Sequence, residues 1–450
     1  MNKIKIINLI KSPHILLLLL LPIVRSFFVV PNFSDETIYI NMAKALKEGL
    51  LPYKDFFYAH PPFQLLLLFP AAATGNFLFT KIYISIIGLI CTFLTYLISK
   101  KIFDEKTAFI SMLFFLIFPG FIIFGNSAMG TFESLLLFLL SFHFLLKDKP
   151  LLSAILMSIS FFTRYLVLLL IPFVLIYLFL YKKKSLKYFL IYFIFISFGL
   201  FLAIYSLFGF NFIRDTVIYH FGRNIKSSLG LSNWIWQYLS LGFFTNFISI
   251  ISLTFGYFKK DYKLMLFSVY PPFYDITILL LFKQVIYHYF AFALPFVAIS
   301  FGRAFSQSKF IDLKIFLILI LLLSFITNFK SLLYYFDKNK NLVFDEIVNY
   351  TLEHTQKDDL IFGEPRSINY ISFITNRKIA LNYFDSDLKH LSFEGLEKVA
   401  EEVKKAKPKI IVADENYYGI FYKYFEDEYE KVKEWNEPEY YQIVLMKRKE

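Results

Sequence analysis

The sequence predicts a polytopic α-helical membrane protein of about eleven crossings, followed by a small α/β domain on the outer side. Three observations carry that expectation. The 450 residues are 57% hydrophobic and 21% aromatic, with 59 Phe and 31 Tyr, more apolar surface than a soluble domain keeps from water. Apolar runs of about 17 residues or more recur, long enough to cross a hydrocarbon core at 1.5 Å of rise per residue. Between them the lysines fall in short clusters, the pattern that orients membrane helices. The net charge of +12 is divided among those clusters and forms no single basic face, so the chain lacks a nucleic-acid-binding signature.

Taken in order, Lys3, Lys5 and Lys11 hold the N-terminus in the cytoplasm. The run 14–30 is an uncleaved first span, because no small-residue cleavage site follows Ile15–Leu21. The cluster Lys100–Lys101 closes the run 82–99, which leaves 31–81 as a first outer loop. Within it, 62–79 reads as a re-entrant or interfacial helix, since Pro61, Pro62, Pro70, Gly75 and Asn76 break up a regular crossing. Further spans are expected at 107–124, 132–146, 151–162, 165–181, 188–208, 235–257, 264–282, 289–302 and 312–329. The Lys clusters alternate in phase with them and put the C-terminus outside. The expected division is therefore a transmembrane domain over 1–335 and a soluble extracytoplasmic domain over 336–450. In the latter, 345–354 has helical apolar spacing, 360–363, 379–382, 409–414 and 441–446 read as strands, and 395–405 as a helix. Cys91 is the single cysteine, which excludes an intrachain disulfide and a thiolate metal site.

The first outer loop concentrates chemistry. Asp35 and Glu36 follow the first span by a few residues, where partial desolvation favours a carboxylate's work as a general base. The plainer account is that Ser34 or Asp35 caps the next helix, with Glu36 favoured in its first turn. Arg164 lies between two short spans, where its guanidinium can snorkel to the outer headgroups or serve topology and packing. In the segment 211–233 stand Arg214, Asp215, His220 and Arg223, and Lys283 and His288 border the next outer turn. Outer cations run against the orientation rule and so point to an anion such as phosphate, or to interfacial snorkelling. Glu133, opening a span near the outer face, is a second acidic candidate or a residue favoured by the helix dipole.

Asp35-Glu36 after the first span, an amphipathic helix, Pro52-Tyr53-Lys54-Asp55-Phe56 and His60-Pro61-Pro62-Phe63 together resemble the first outer loop of GT-C glycosyltransferases. The likeness is closest to the branch of protein O-mannosyltransferases and lipid A aminoarabinose transferases. Phe162-Thr163-Arg164 resembles that branch's Thr-Lys segment between two short spans. Lys283-Gln284 to His288-Tyr289, followed by Pro295, resembles its basic-aromatic turn before a late span. The resemblance covers roughly residues 14–300.

It implies an inverting glycosyltransferase of the cell membrane that moves a sugar from a polyprenyl phosphate to an extracytoplasmic hydroxyl of a protein, lipid or glycan. In those terms Asp35 is the catalytic base and Glu36 orients the acceptor. Arg164, His220, Arg223, Lys283 and His288 are donor-phosphate candidates, because the phosphate gains charge as the glycosidic bond breaks. His60 and Glu133 are candidates for an acceptor or second acidic site. The cofactor is left open: Asp35, Glu36, His60, Glu133 and His220 are metal-ligand types. However, the aminoarabinose transferases carry Glu-Lys-Pro where this chain has Ala59-His60-Pro61, so the matching carboxylate is absent and His60 reads better as a hydrogen-bonded histidine. Two rival functions are a lipid-linked-sugar flippase, which predicts inverted repeats and midplane charges, and a scaffold whose soluble domain binds envelope polymer. No internal repeat is visible.

Overall fold

A computed structural model describes residues 35–222, 242–281, 287–309, 311–336, 339–385, 395–414, 423–437 and 441–449. The expected first span, Arg223 and Lys283 lie outside the described residues. Helices α1 (Glu36–Ala45) and α2 (Phe63–Ala72) come first. At ten residues each, about 15 Å of rise, both are too short to cross a bilayer. There follow α3 (Phe77–Ile102), α4 (Glu105–Ile117), α5 (Pro119–Phe124), α6 (Thr131–Leu146), α7 (Pro150–Phe161), α8 (Ile171–Tyr181) and α9 (Lys183–Phe208). A broken helical stretch over 210–222 leads on to α10 (Phe243–Lys259), α11 (Tyr262–Leu281), α12 (Leu294–Gln307), α13 (Ile311–Phe336) and α14 (Asn339–His354).

Among the described residues, five helices are long and apolar enough to cross a membrane: 77–102, 183–208, 262–281, 288–307 and 312–329. Shorter apolar helices cover 63–72, 131–146, 150–161 and 165–181. Exposed Ile194, Phe195, Phe198 and Leu207 on α9 form a surface that suits lipid, not water. Residues 107–124, expected as one span, are two helices. Phe118 turns extended (φ −68°, ψ 133°) before Pro119, because a proline ring crowds the helical conformation of its predecessor.

The chain divides into two compact units. In the first (1–27, 81–202 and 225–336) helices meet through small and hydroxyl residues, which let backbones approach closely in a membrane. Ser134 and Ser160, and Ser141 and Ser153, bond α6 to α7, the second pair at 2.7 Å. A Cβ on Gly302 of α12 would overlap Ser111 and the Thr107 carbonyl of α4. An aromatic core of Phe142, Phe173, Phe267, Tyr270 and Phe296 fills the centre, with Phe173 and Phe296 centroids 4.6 Å apart.

The second unit (28–80, 203–224 and 337–450) contains a five-stranded sheet. Its strands are β1 (Leu360–Gly363), β2 (Lys378–Ile379), β3 (Ile410–Asp414), β4 (Tyr429–Glu437) and β5 (Tyr441–Arg448), with helices α15 (Pro365–Thr375) and α16 (Leu396–Ala406) between them. The order is β2-β1-β3-β5-β4, with β2 and β3 parallel to β1 and β5 antiparallel to both β3 and β4. Phe362, Val399, Val403, Ile411, Val444 and Met446 form its core. The strands at 360–363, 409–414 and 441–446 and the 395–405 helix occur at their expected places. Strand β4 and helix α15 were not foreseen. Beyond Ile379 the expected third strand gives way to a 3₁₀ turn, Ala380–Asn382.

Candidate active site

Asp35 opens α1 in the second unit, yet its side chain makes no cap hydrogen bond to the helix. Its Oδ1 instead accepts from Arg366 Nε at 3.3 Å, and the Thr37 hydroxyl donates to the Arg366 carbonyl at 2.8 Å. The start of α15 thus meets the start of α1, and Arg366 orients the Asp35 carboxylate. Glu36, one residue on, is buried.

The histidines of this unit come together. His60 Nε2 and the Tyr39 hydroxyl are hydrogen-bonded at 2.9 Å, and Tyr53 donates to the His60 carbonyl at 2.5 Å. His220 stacks on His60 with ring centroids 5.7 Å apart and donates from Nε2 to the Ala59 carbonyl at 2.8 Å. The 53–60 turn begins at Tyr53, whose φ is 65° and whose N–H donates to the Phe56 carbonyl at 2.9 Å. Beside it Asp215 is fully buried and pairs with Arg214 at 2.7 Å. Burial pushes its carboxyl above the ordinary range, opposed by Arg214 and the Tyr58 backbone N–H. No three His, Cys, Asp or Glu side chains among the described residues converge as a metal site.

In the first unit two buried cations meet one short turn. Lys81 Nζ donates to the Asn126 carbonyl at 2.6 Å, and the Arg164 guanidinium donates to the Met129 carbonyl. Gly130 takes φ 75°, which a Cβ would resist, and so turns the chain from this segment into α6. Glu133 follows in its first turn, fully buried. His288, also buried, sits edge-on to Phe124 with centroids 6.2 Å apart. Arg164 is therefore buried and anchored within the unit.

Neither a family model nor a curated protein matches this sequence. Solved structures do. The apo form of ArnT, a lipid A aminoarabinose transferase, from Cupriavidus metallidurans superposes with TM-score 0.62 at 10% identity, covering 97% of this chain and 98% of that one. ArnT bound to undecaprenyl phosphate gives TM-score 0.61 at 11% identity. The oligosaccharyltransferase AglB from Archaeoglobus fulgidus, in complex with an inhibitory peptide and a dolichol-phosphate, gives 0.52 at 11%, covering 96% of this chain and 74% of that one. The chain has the fold of ArnT and AglB.

Within that fold, the second unit holds Asp35, Glu36, His60 and His220, of which His60 and His220 stack on each other, and the first holds Arg164, Glu133 and His288. Two partners escaped sequence reasoning. Arg366 lies 331 positions from Asp35, and no local pattern joins them. Lys81 is a single lysine at the head of an apolar run, and an ionisable residue in such a place is a reason to look for function.

Proposed function

We propose that this chain is a membrane glycosyltransferase that moves a sugar from a polyprenyl phosphate donor to an extracytoplasmic hydroxyl, with inversion. The observation that carries the reading is a fold likeness over 97% of this chain and 98% of ArnT, a protein whose structure has been solved with undecaprenyl phosphate. In this reading residues 1–335 form the transmembrane domain, crossing about eleven times from a cytoplasmic N-terminus, and 336–450 form a domain outside.

Asp35 takes the acceptor's hydroxyl proton as the oxygen attacks the anomeric carbon and the lipid phosphate departs. Arg366 positions that carboxylate, and Glu36 orients the acceptor. The candidates for meeting the phosphate, whose growing charge fixed cations stabilise, are Lys81, Arg164, Lys283 and His288 in the first unit and His220 and Arg223 in the second. His60 and Glu133 serve the acceptor side.

The test is a purified preparation given a radiolabelled polyprenyl phosphate-sugar. Acceptor-dependent release of free polyprenyl phosphate, with label in the acceptor, is the expected result. Translocation of intact donor across proteoliposomes without release contradicts it and favours a flippase.

A further inference from the structure

We infer that the second unit carries a docking site for an anionic saccharide, separate from the Asp35 carboxylate. A cavity of about 390 Å³ opens between the C-terminal half of α1, the end of α15 and β2. That volume suits a small ligand, but sites for drug-like molecules are mostly apolar. This one is lined by amides, a hydroxyl and charge, with Lys44, Lys357, Arg377 and Lys378 outnumbering Glu48 and Asp358.

The floor is preorganised. Asn41 and Ser372 are buried, and Asn41 Nδ2 donates to Asn369 Oδ1 at 3.0 Å and to Ser372 Oγ at 3.2 Å. This commits the Asn41 amide hydrogens and leaves its side-chain oxygen as an acceptor for a ligand hydroxyl. Arg377 is fixed by bonds to Thr355 Oγ1 at 2.9 Å, the Thr355 carbonyl at 2.8 Å and the Thr375 carbonyl at 3.0 Å. A guanidinium has five N–H donors, so an immobilised one with donors to spare is suited to a carboxylate or phosphate. Lys44 donates to the Phe373 carbonyl at 3.1 Å, and burial lowers its ammonium below the ordinary pKa.

Asn376 and Asn382, both in the lining, have φ of 56°, and Leu381 has φ of 57°. Asparagine accepts this left-handed conformation and leucine resists it. Such strain persists where the surroundings over-determine the backbone. Along α1, Asn41 and Lys44 lie six and nine residues beyond Asp35, roughly 9 and 13 Å of rise. The ring hydroxyls thus meet Asn41, Ser372, Asn376 and Asn382 while the anion meets Arg377 and Lys378.

Saturation-transfer NMR on the full chain in detergent tests this with glucuronate and glucose 6-phosphate as probes, and glucose and inorganic phosphate as controls. At least one anionic sugar should bind tenfold or more tighter than either control. The pair Lys357→Glu and Lys378→Glu, both exposed, should weaken it by tenfold or more while the melting temperature stays. Equal binding of glucose overturns the charge requirement, equal binding of phosphate overturns the saccharide, and unchanged affinity in the double variant overturns the location. Turnover on an uncharged acceptor should be unaffected, so failed docking and failed sugar transfer read out separately.

Discussion

Helix α3 has a buried or half-buried cation near each end, and the two are held in different ways. Past its C-terminus, Arg303 of α12 donates from Nε to Asp261 at 2.8 Å and from NH1 to Asp104 at 2.9 Å. Asp104 also caps α4 through the Thr107 N–H at 2.8 Å. Two helix junctions, α3–α4 and α10–α11, are fastened there to α12 by opposite charge. About 30 Å away along the same helix, Lys81 and Arg164 donate to neutral carbonyls at Asn126 and Met129. One end joins helices through an arginine and two carboxylates, whereas the other sets two buried cations against the backbone carbonyls of one turn. The first arrangement suits a fastener. In the proposed function the second is the end that meets the donor phosphate.

Asp35 is where this contrast is easiest to break, because it too is paired with an arginine. If pairing always meant fastening, Asp35→Asn would cost stability and spare turnover. We expect the reverse, since Asn keeps the shape and loses the basicity. Sugar transfer should fall about 10²–10⁴-fold, measured on purified protein with an unchanged melting profile. Near-normal turnover would return Asp35 to scaffolding and leave Glu36 or Glu133 as the base.

A smaller effect sharpens the fastener. Arg303→Ala removes two charge-assisted bonds, each about 1.5–3 kcal/mol at full strength. Asp104 is 40% exposed, so solvent screening reduces the sum to about 2 kcal/mol. Unfolding in mixed micelles should show that loss with donor KM unchanged. A raised KM would mean this end also serves the donor.

The smallest expected effect concerns Asp215, a buried carboxylate with an arginine partner. Its folded pKa is raised by burial, so its contribution to stability is complete below the unfolded value of about 3.9 and is lost as pH rises through the folded value. Asp215→Asn removes that loss, and Arg214, 43% exposed, stays solvated. The variant should gain under about 1 kcal/mol at pH 7 and less at pH 4, read as melting temperature against pH. A destabilised variant at pH 7 would show that the ion pair outweighs burial.

Apolar runs were legible because lipid favours uninterrupted apolar helices, and most described helices fall within a few residues of the expected runs, five of them long and apolar enough to cross a membrane. Local backbone chemistry was harder to read. Phe118-Pro119 splits a run that hydropathy joins, and the charged face of Tyr429–Glu437 hides the strand alternation behind lysines and glutamates. In the candidate site, adjacency in sequence revealed Asp35-Glu36 and the Tyr219-His220 pair. It could not reveal that Arg366 reaches Asp35, or that His60 and His220 stack, because those contacts exist only after the loop, the 210–222 stretch and the sheet region have folded together.

The claim that the Lys81–Arg164 end meets the donor phosphate is tested most directly by titrating undecaprenyl phosphate onto wild type, Arg164→Ala and Arg303→Ala by native mass spectrometry. The account predicts a ten- to hundredfold loss of affinity in Arg164→Ala, equivalent to about 1.5–3 kcal/mol, partial rescue in Arg164→Lys, and no change in Arg303→Ala. Equal affinity in all three, with Arg164→Ala still folded, would contradict it and make Arg164 a packing residue.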